Sequence, residues 1–390
     1  MTWKSELDTF WNTYRKEMAS LGLGTALWQP SPPIDTNTGS YVYKQVEAGD
    51  VGFIHAGVFN RLFNIFLPED HEWQQTFGVP HGFKPLKVPG RHHWTSAESF
   101  LKELAPLGGT LGPAPLHSES VKCHKVTLDV EGNSSIPIPA IQFKFSCTKQ
   151  AGAALVLPHR AERYDTMRSK LMEKYMTDNW ESWLDFTERL GMDVELQDLY
   201  LVTGCDRTDE WAMAAFRRSE SEIAASATII VPGAANVTAA FSCKWETTSS
   251  VLHNTGPYRP TSSTPTDDSS QRDKATLCNQ TVFIRGYRMK KRKNWKGKQV
   301  APVVIRASAG YDERDLGPGD DEGSAGCSSS TSSDEEDDTR QDIPDPKDVN
   351  LLDPVLDYIL QSCPEADVAI AHDEDIYPYI MVSRGAAPHR

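Results

Sequence analysis

The chain has 390 residues, 39% of them apolar and 24% charged, with a formal net charge of −14. That supports a sizeable core and excludes a fibre or a wholly disordered chain. The charge is uneven: residues 1–310 carry 35 basic and 33 acidic side chains, whereas 311–390 carry 5 and 21. An acidic total therefore does not argue against a basic binding surface on the body.

The opening Met-Thr-Trp-Lys-Ser-Glu places charges where a signal peptide needs an apolar run. The 7 cysteines are scattered and never spaced Cys-x-x-Cys, so reduced thiols and a cytoplasmic or nuclear location are expected. No apolar stretch free of charge, Pro and Gly is long enough for a membrane-spanning helix.

In chain order, Trp3, Leu7, Phe10, Trp11, Tyr14 and Met18 form one stripe of an amphipathic helix over residues 1–24, ended by Gly22 and Gly24. A body over 40–310 follows. Ala56-Gly57 joins two strands as a hairpin, and a short helix is expected from Ser96. The apolar phase of 121–130 slips at Lys125, which predicts a β-bulge. Ile141, Phe143, Phe145 and Cys147 alternate with polar residues as a half-buried strand. A pair of helices is predicted at 159–191: a stripe of Tyr164, Met167, Leu171 and Tyr175, then a capping box at Asp178 to Glu181. Leu199 opens a central strand. Residues 223–231 and 237–245 read as a hairpin, and 247–276 as a flexible Ser/Thr/Pro insertion. Residues 311–348, acidic, Ser-rich and almost without apolar side chains, predict a disordered linker. A small helix–strand element at 349–383 needs a surface to pack on. The fold class is α+β: a mixed or antiparallel sheet body with a packed helix pair.

The common catalytic motifs for phosphate binding, serine nucleophiles, zinc proteases and dinucleotides are absent. Cys205, at a strand end beside Arg207, is the single nucleophile candidate, and the bland alternative is a small core residue. His92, His93, His117, Cys123 and His124 lack the paired spacing of a zinc site, so no metal and no cofactor is expected. The basic run Arg285, Arg288, Lys290, Lys291, Arg292, Lys293, Lys296 and Lys298 suits anionic lipid, nucleic acid or an import receptor, or else is a solvated loop. Ser332 and Ser333 each precede an acid by three residues and are phosphorylation candidates. The 21 residues Ile223 to Cys243 are uncharged and rich in Ala, Ser and Thr; membrane-inserting hairpins share that pattern with ordinary half-buried ones.

Three strings, GDVGFIHAGVFNRLFN from 49, DLYLVTGCDRTDEWAMAAF from 198, and LDPVLDYIL with VAIAHDED from 352, resemble an uncharacterised protein family of mushroom-forming fungi, which brings no activity with it. The order of helix, Leu-Tyr-Leu-Val-Thr strand and small-residue hairpin is also distantly similar to the gasdermin pore-forming domain. It departs from that domain in its long Ser/Thr/Pro insertion and in having only the acidic tail where an inhibitory domain would stand. Two functions are therefore expected. The first is a non-enzymatic intracellular interaction or regulatory protein with an unknown protein partner and the acidic tail as its switch. The alternative is a gasdermin-like pore former, and a cysteine-dependent enzyme stands third.

Overall fold

The computed structural model describes residues 9–34, 42–88, 101, 103, 107–130, 138–217, 223–230, 242–247, 251–257, 278–292, 303–306 and 348–376. At 107, 128–130, 138–140, 223–230 and 242–247 the description covers the backbone alone. Strands, numbered β1 to β17 along the chain, dominate over helices, as an α+β fold requires.

The central sheet is built on β10 (Leu199–Thr208) and β15 (Gln280–Lys291), paired antiparallel. Both are buried along most of their length, and their buried positions include charged side chains, Asp206 and Arg207 on β10 and Arg285 and Arg288 on β15, beside the apolar ones. On the far edge of β10 lie β2 (Asp50–His55) and then β3 (Val58–Asn64). Farther along the same edge comes β9 (Ala161–Asp165), which carries β4 (Leu107–Leu111). Ala56 and Gly57, at φ 50° and 79°, make the expected tight turn between β2 and β3. The far edge of β15 takes β1 (Thr25–Ala26) and then β17 (Val368–His372), with β16 (Val304–Arg306) parallel beyond it.

The expected helix pair is one continuous helix, α2 (Ser169–Arg189). Met172, Met176, Trp180, Trp183 and Phe186 are its buried stripe, packed on Phe63, Leu199, Leu201 and Met289 of the sheet. No Gly or Pro interrupts 169–189, and Asp178 pairs with Lys174 one turn earlier at 2.7 Å instead of starting a new helix. Tyr164 belongs to β9, because the free edge of β10 at 204–207 needs a partner, and Met167 is 85% exposed.

Two four-stranded sheets complete the body. The proximal one runs β14 (Val251–Gly256), β11 (Trp211–Arg217), β8 (Ala151–Val156), β5 (Pro115–His117). The distal one runs β13 (Ser242–Thr247), β12 (Ile223–Ile230), β7 (Ile138–Cys147), β6 (Val121–Val130). Part of the predicted insertion is thus the ordered strand β14, whose Val251 packs on the proximal core; residues 258–277 lie outside the described residues. The bulge expected at Lys125 is absent, since β6 and β7 pair in unbroken register from Val121↔Cys147 to Val130↔Ile138. The apolar phase changes because β6 is an edge strand that leaves the core after Cys123, and Lys122 and Lys125 then face water.

Helix α1 (Phe10–Ala19) packs Tyr14 and Met18 on the proximal sheet against Ala153, Leu155, Met213 and Ala215. Residues 1–8 of the predicted N-terminal helix, the start of the helix expected from Ser96, and 311–347 fall outside the described residues. The C-terminal element docks on the body. Its helix α3 (Asp353–Ser362) buries Val355, Leu356, Ile359 and Leu360 against Ala369 and Ala371, on the sheet face opposite α2.

Candidate functional site

The proximal and distal sheets have the same strand order, and each proximal strand is followed or preceded in sequence by its distal counterpart. Four chain segments therefore run through both sheets, with a bend between. The bend is described for two of them. Ser118 N–H donates to Ala153 O at 3.0 Å and Thr148 N–H to Ser120 O at 2.7 Å, so pairing is carried across the turn. Ser118 Oγ accepts from Ala153 N at 3.1 Å and lies 2.8 Å from Ser120 Oγ. Ser120 Oγ in turn donates to Glu17 Oε2 of α1 at 2.8 Å. Gly152 sits inside the corner, where an added Cβ would lie 2.5 Å from Val121 Cγ2 and 2.9 Å from Cys147 Sγ. Val121, Phe143, Phe145 and Cys147 close the concave side against Ala154, Val156, Ala212, Ala214 and Phe216.

The distal sheet consists of two antiparallel hairpins side by side. Register sets Ile223, Ala225, Ala227 and Ile229 level with Cys147, Phe145, Phe143 and Ile141. Thr247, Trp245 and Cys243 follow on β13, level with Ala225, Ala227 and Ile229. The alternate rows hold Ser226, Thr228, Gln142, Lys144, Ser146, Lys122, His124, Lys244 and Glu246. On β6 the row of Cys147 and Phe145 continues as Val121 and Cys123, but the row positions level with Phe143 and Ile141 hold Lys125 and Thr127, so the apolar row of β7 and β12 ends at the β6 edge. Sequence reading found the second hairpin and both strands of the first, but not that β6 and β7 pair with each other. The signal was the polar triplets Ser118-Glu-Ser and Thr148-Lys-Gln, which punctuate two long strands at matching places.

The basic run is not one surface. Arg285 is 4% exposed: its Nε donates to Asp165 at 2.6 Å and its Nη1 to Asp206 at 2.8 Å, and Arg163 holds the other side of Asp206 at 2.9 Å. Burial works against the Arg285 charge, yet Asp206 and Asp165 raise its pKa. Arg288 lies over the Tyr200 ring at 4.8 Å and donates to Gln197 O. Lys290 reaches Asp353 and Asp357 of α3 at 3.3 and 2.9 Å. Arg292 donates to the carbonyls of Leu360, Cys363 and Ala366, which closes the α3 C-terminus. Lys291 is exposed; Lys293, Lys296, Lys298, Ser332 and Ser333 lie outside the described residues.

Cys205 is 1% exposed, its Sγ donates to Val46 O at 3.6 Å, and burial pushes its thiol up to about 12. A thiol so held is protonated at neutral pH and out of reach. His117 Nδ1 lies 3.0 Å from Ser118 O, and His92 and His93 are outside the described residues. One group that sequence spacing did not suggest is His159 with Asp209 and Glu210, whose ligand-type atoms lie within 4.8 Å of one another. His159 is 58% exposed, and its Nδ1 lies 2.9 Å from an Asp209 carboxylate oxygen, within hydrogen-bond reach.

No protein-family model and no curated protein matches the chain. Among solved structures, a cryo-EM structure of the gasdermin A3 membrane pore aligns with a TM-score of 0.20 and 10% identity, over 73% of this chain and 92% of that one. A likeness at that score carries no weight for fold or function.

Proposed function

We propose that this chain acts on membranes by inserting its two distal hairpins side by side, the alternative that the sequence left open. The observation that supports it is the distal sheet itself: two adjacent hairpins in which Ile223, Ala225, Ala227 and Ile229 of β12 stand level with Cys147, Phe145, Phe143 and Ile141 of β7. A lipid-spanning strand needs about 9–11 residues and must satisfy every backbone group by pairing. Strands β6 and β7 have 10 residues each, paired throughout. In a bilayer the row of Ile229, Ala227 and Ala225 would meet lipid, and the row of Lys144, Thr228 and Ser226 would meet water. No helix among the described residues is long and apolar enough to cross a membrane.

The test is dye release from vesicles of anionic and of neutral lipid, with the wild type and Ile229→Arg. A cation on the lipid face near mid-bilayer costs about 2–4 kcal/mol per strand, so the variant should lose release while its melting temperature in solution holds. Intact vesicles at every lipid composition, with or without the C-terminal segment in place, would sink the proposal. A second reading, a non-enzymatic protein-binding module, is favoured by the one-sided pairing of β6, whose outer edge could accept a partner's strand. Edge-strand binding would survive Ile229→Arg and vanish with a proline in β6.

A further inference from the structure

Residues 348–376 return to the body after 307–347 and make a dense set of contacts there. Strand β17 lies inside the sheet, paired to β15 over Tyr287↔His372 to Lys291↔Val368 and to β16 over Val304↔Val368 to Arg306↔Ile370. Val368 and Ile370 join the cluster under α2, and Ala369 and Ala371 join the cluster under α3. Cations of the body meet acids and carbonyls of this segment. Arg15, 1% exposed, donates to Asp348 and to Val349 O, both at 2.9 Å. Lys290 takes Asp353 and Asp357, and Arg292 takes the three carbonyls that end α3. Asn12 Oδ1 accepts from Val349 N at 2.8 Å, so α1 is gripped as well.

That combination of a sheet strand, a private apolar cluster and charge complementarity is what a bound peptide partner presents. We propose that residues 348–376 are a non-covalently seated clip: cutting the backbone within 307–347 leaves them in place. The seat of Arg15, Lys290 and Arg292 takes an acidic strand-and-helix segment of this chemistry, whether it arrives in the same chain or free in solution. The occupant is this segment itself. Ladder bonds on both sides and burial of Val368 and Ile370 in the body's cluster under α2 hold it without the covalent link, and the cluster around Leu352, Val355, Leu356, Ile359 and Leu360 keeps the segment folded as a unit. Where the hairpins act on membranes, a consequence that rests on the proposed function, cutting alone does not free α1, and displacement does.

The experiment replaces residues 320–326 with a site-specific protease site in the full chain and cuts the folded protein. The two pieces should co-elute at micromolar concentration, and a labelled synthetic peptide of residues 348–376 in excess should slowly replace the cut piece. Separation of the pieces without denaturant, or failure of the peptide to enter, would overturn the proposal. In the cut protein, Lys290→Ala with Arg292→Ala should speed loss of the piece by roughly tenfold. Equal retention would remove the cationic seat from the account. Dye release is scored in parallel: co-elution and exchange without release at any stage sinks the membrane function and leaves the clip standing.

Discussion

The Asp373 carboxylate accepts the backbone N–H of Gly286 at 2.9 Å, at the point where β15 has passed β1 and not yet met β17. The side chain fills a gap in the ladder. It also accepts the Tyr200 hydroxyl and, at 2.9 Å, the Thr25 hydroxyl, so it ties both chain ends to the central strand. Burial raises its pKa, and its hydrogen bonds and Arg288 pull the other way.

Asp373→Ala strands three buried donors and should cost about 3 kcal/mol or more. Asp373→Asn should cost less than half of that, because its oxygen can take Gly286 and Tyr200 while its amide donates to the Thr25 oxygen. Urea unfolding of the two variants checks this; equal losses would show that the charge, not the bonding pattern, matters.

His372 predicts an acid-sensitive stability. Glu374 N–H donates to its Nδ1 at 3.2 Å, so Nε2 carries the proton and donates to Thr203 Oγ1 at 2.8 Å; Thr203 in turn donates to Arg285 O at 3.1 Å. Both ring positions are committed to the neutral form, and burial, with Arg306 and Arg285 nearby, lowers the pKa to about 3. Folded below unfolded means that the unfolded chain binds the proton first as pH falls. Stability is present above about pH 6.5 and is lost toward pH 3, with a limiting slope of about 1.4 kcal/mol per pH unit. Asp50, raised to about 6 chiefly by burial, has the opposite sign: its contribution is full below about pH 4 and is lost as pH rises through 6. His372→Gln should therefore leave a profile that improves on acidification from pH 6 to 4, measured by thermal melts; an unchanged profile counts against the assignment.

Arg285→Met should lower stability by about 3–5 kcal/mol, since Asp206, 0% exposed, would keep only Arg163. Lys291→Gln, six residues further along the same strand and exposed, should stay within about 0.5 kcal/mol. Equal small effects would return Arg285 to the surface patch that its sequence neighbourhood suggests.

Gly152→Ala tests the bend. Its Cβ would press on Val121 and Cys147, so the bent form should lose about 1–3 kcal/mol. If the hairpins swing out to reach lipid, the variant should melt lower and release dye faster. A lower melt with slower release would mean that the bend is needed in the active form.

Strands β2, β3, β7, β10 and β12 and the stripe of α1 were legible because alternation and the 3.6-residue period survive in single segments, whereas β8 and β11 of the proximal sheet were not read as strands. Lost to the sequence was whatever depends on pairing. Tyr164 and Met167 fit a helical stripe, yet the open edge of β10 at Gly204–Arg207 claims Tyr164 for a strand. Arg285 to Arg292 looked like one cationic surface because residue type does not reveal burial. Asp206, Asp165, Asp353 and Asp357, far apart in sequence, absorb most of it. The second hairpin announced itself through Ala, Ser and Thr; β6 was read as a strand, but the lysines of an edge strand gave no sign that it pairs with β7.

The outer edge of β15 is finished by β1 near one end of the described chain and β17 near the other. During synthesis the ribosome delivers β1, β10 and β15 long before β17. For that interval the nascent sheet carries an unpaired edge with Gly286 N–H lacking its acceptor. Such an edge invites the wrong neighbour on a crowded polysome. The acidic stretch emerges just ahead of β17, and its like charges repel those of adjacent nascent chains during the interval in which the edge is bare.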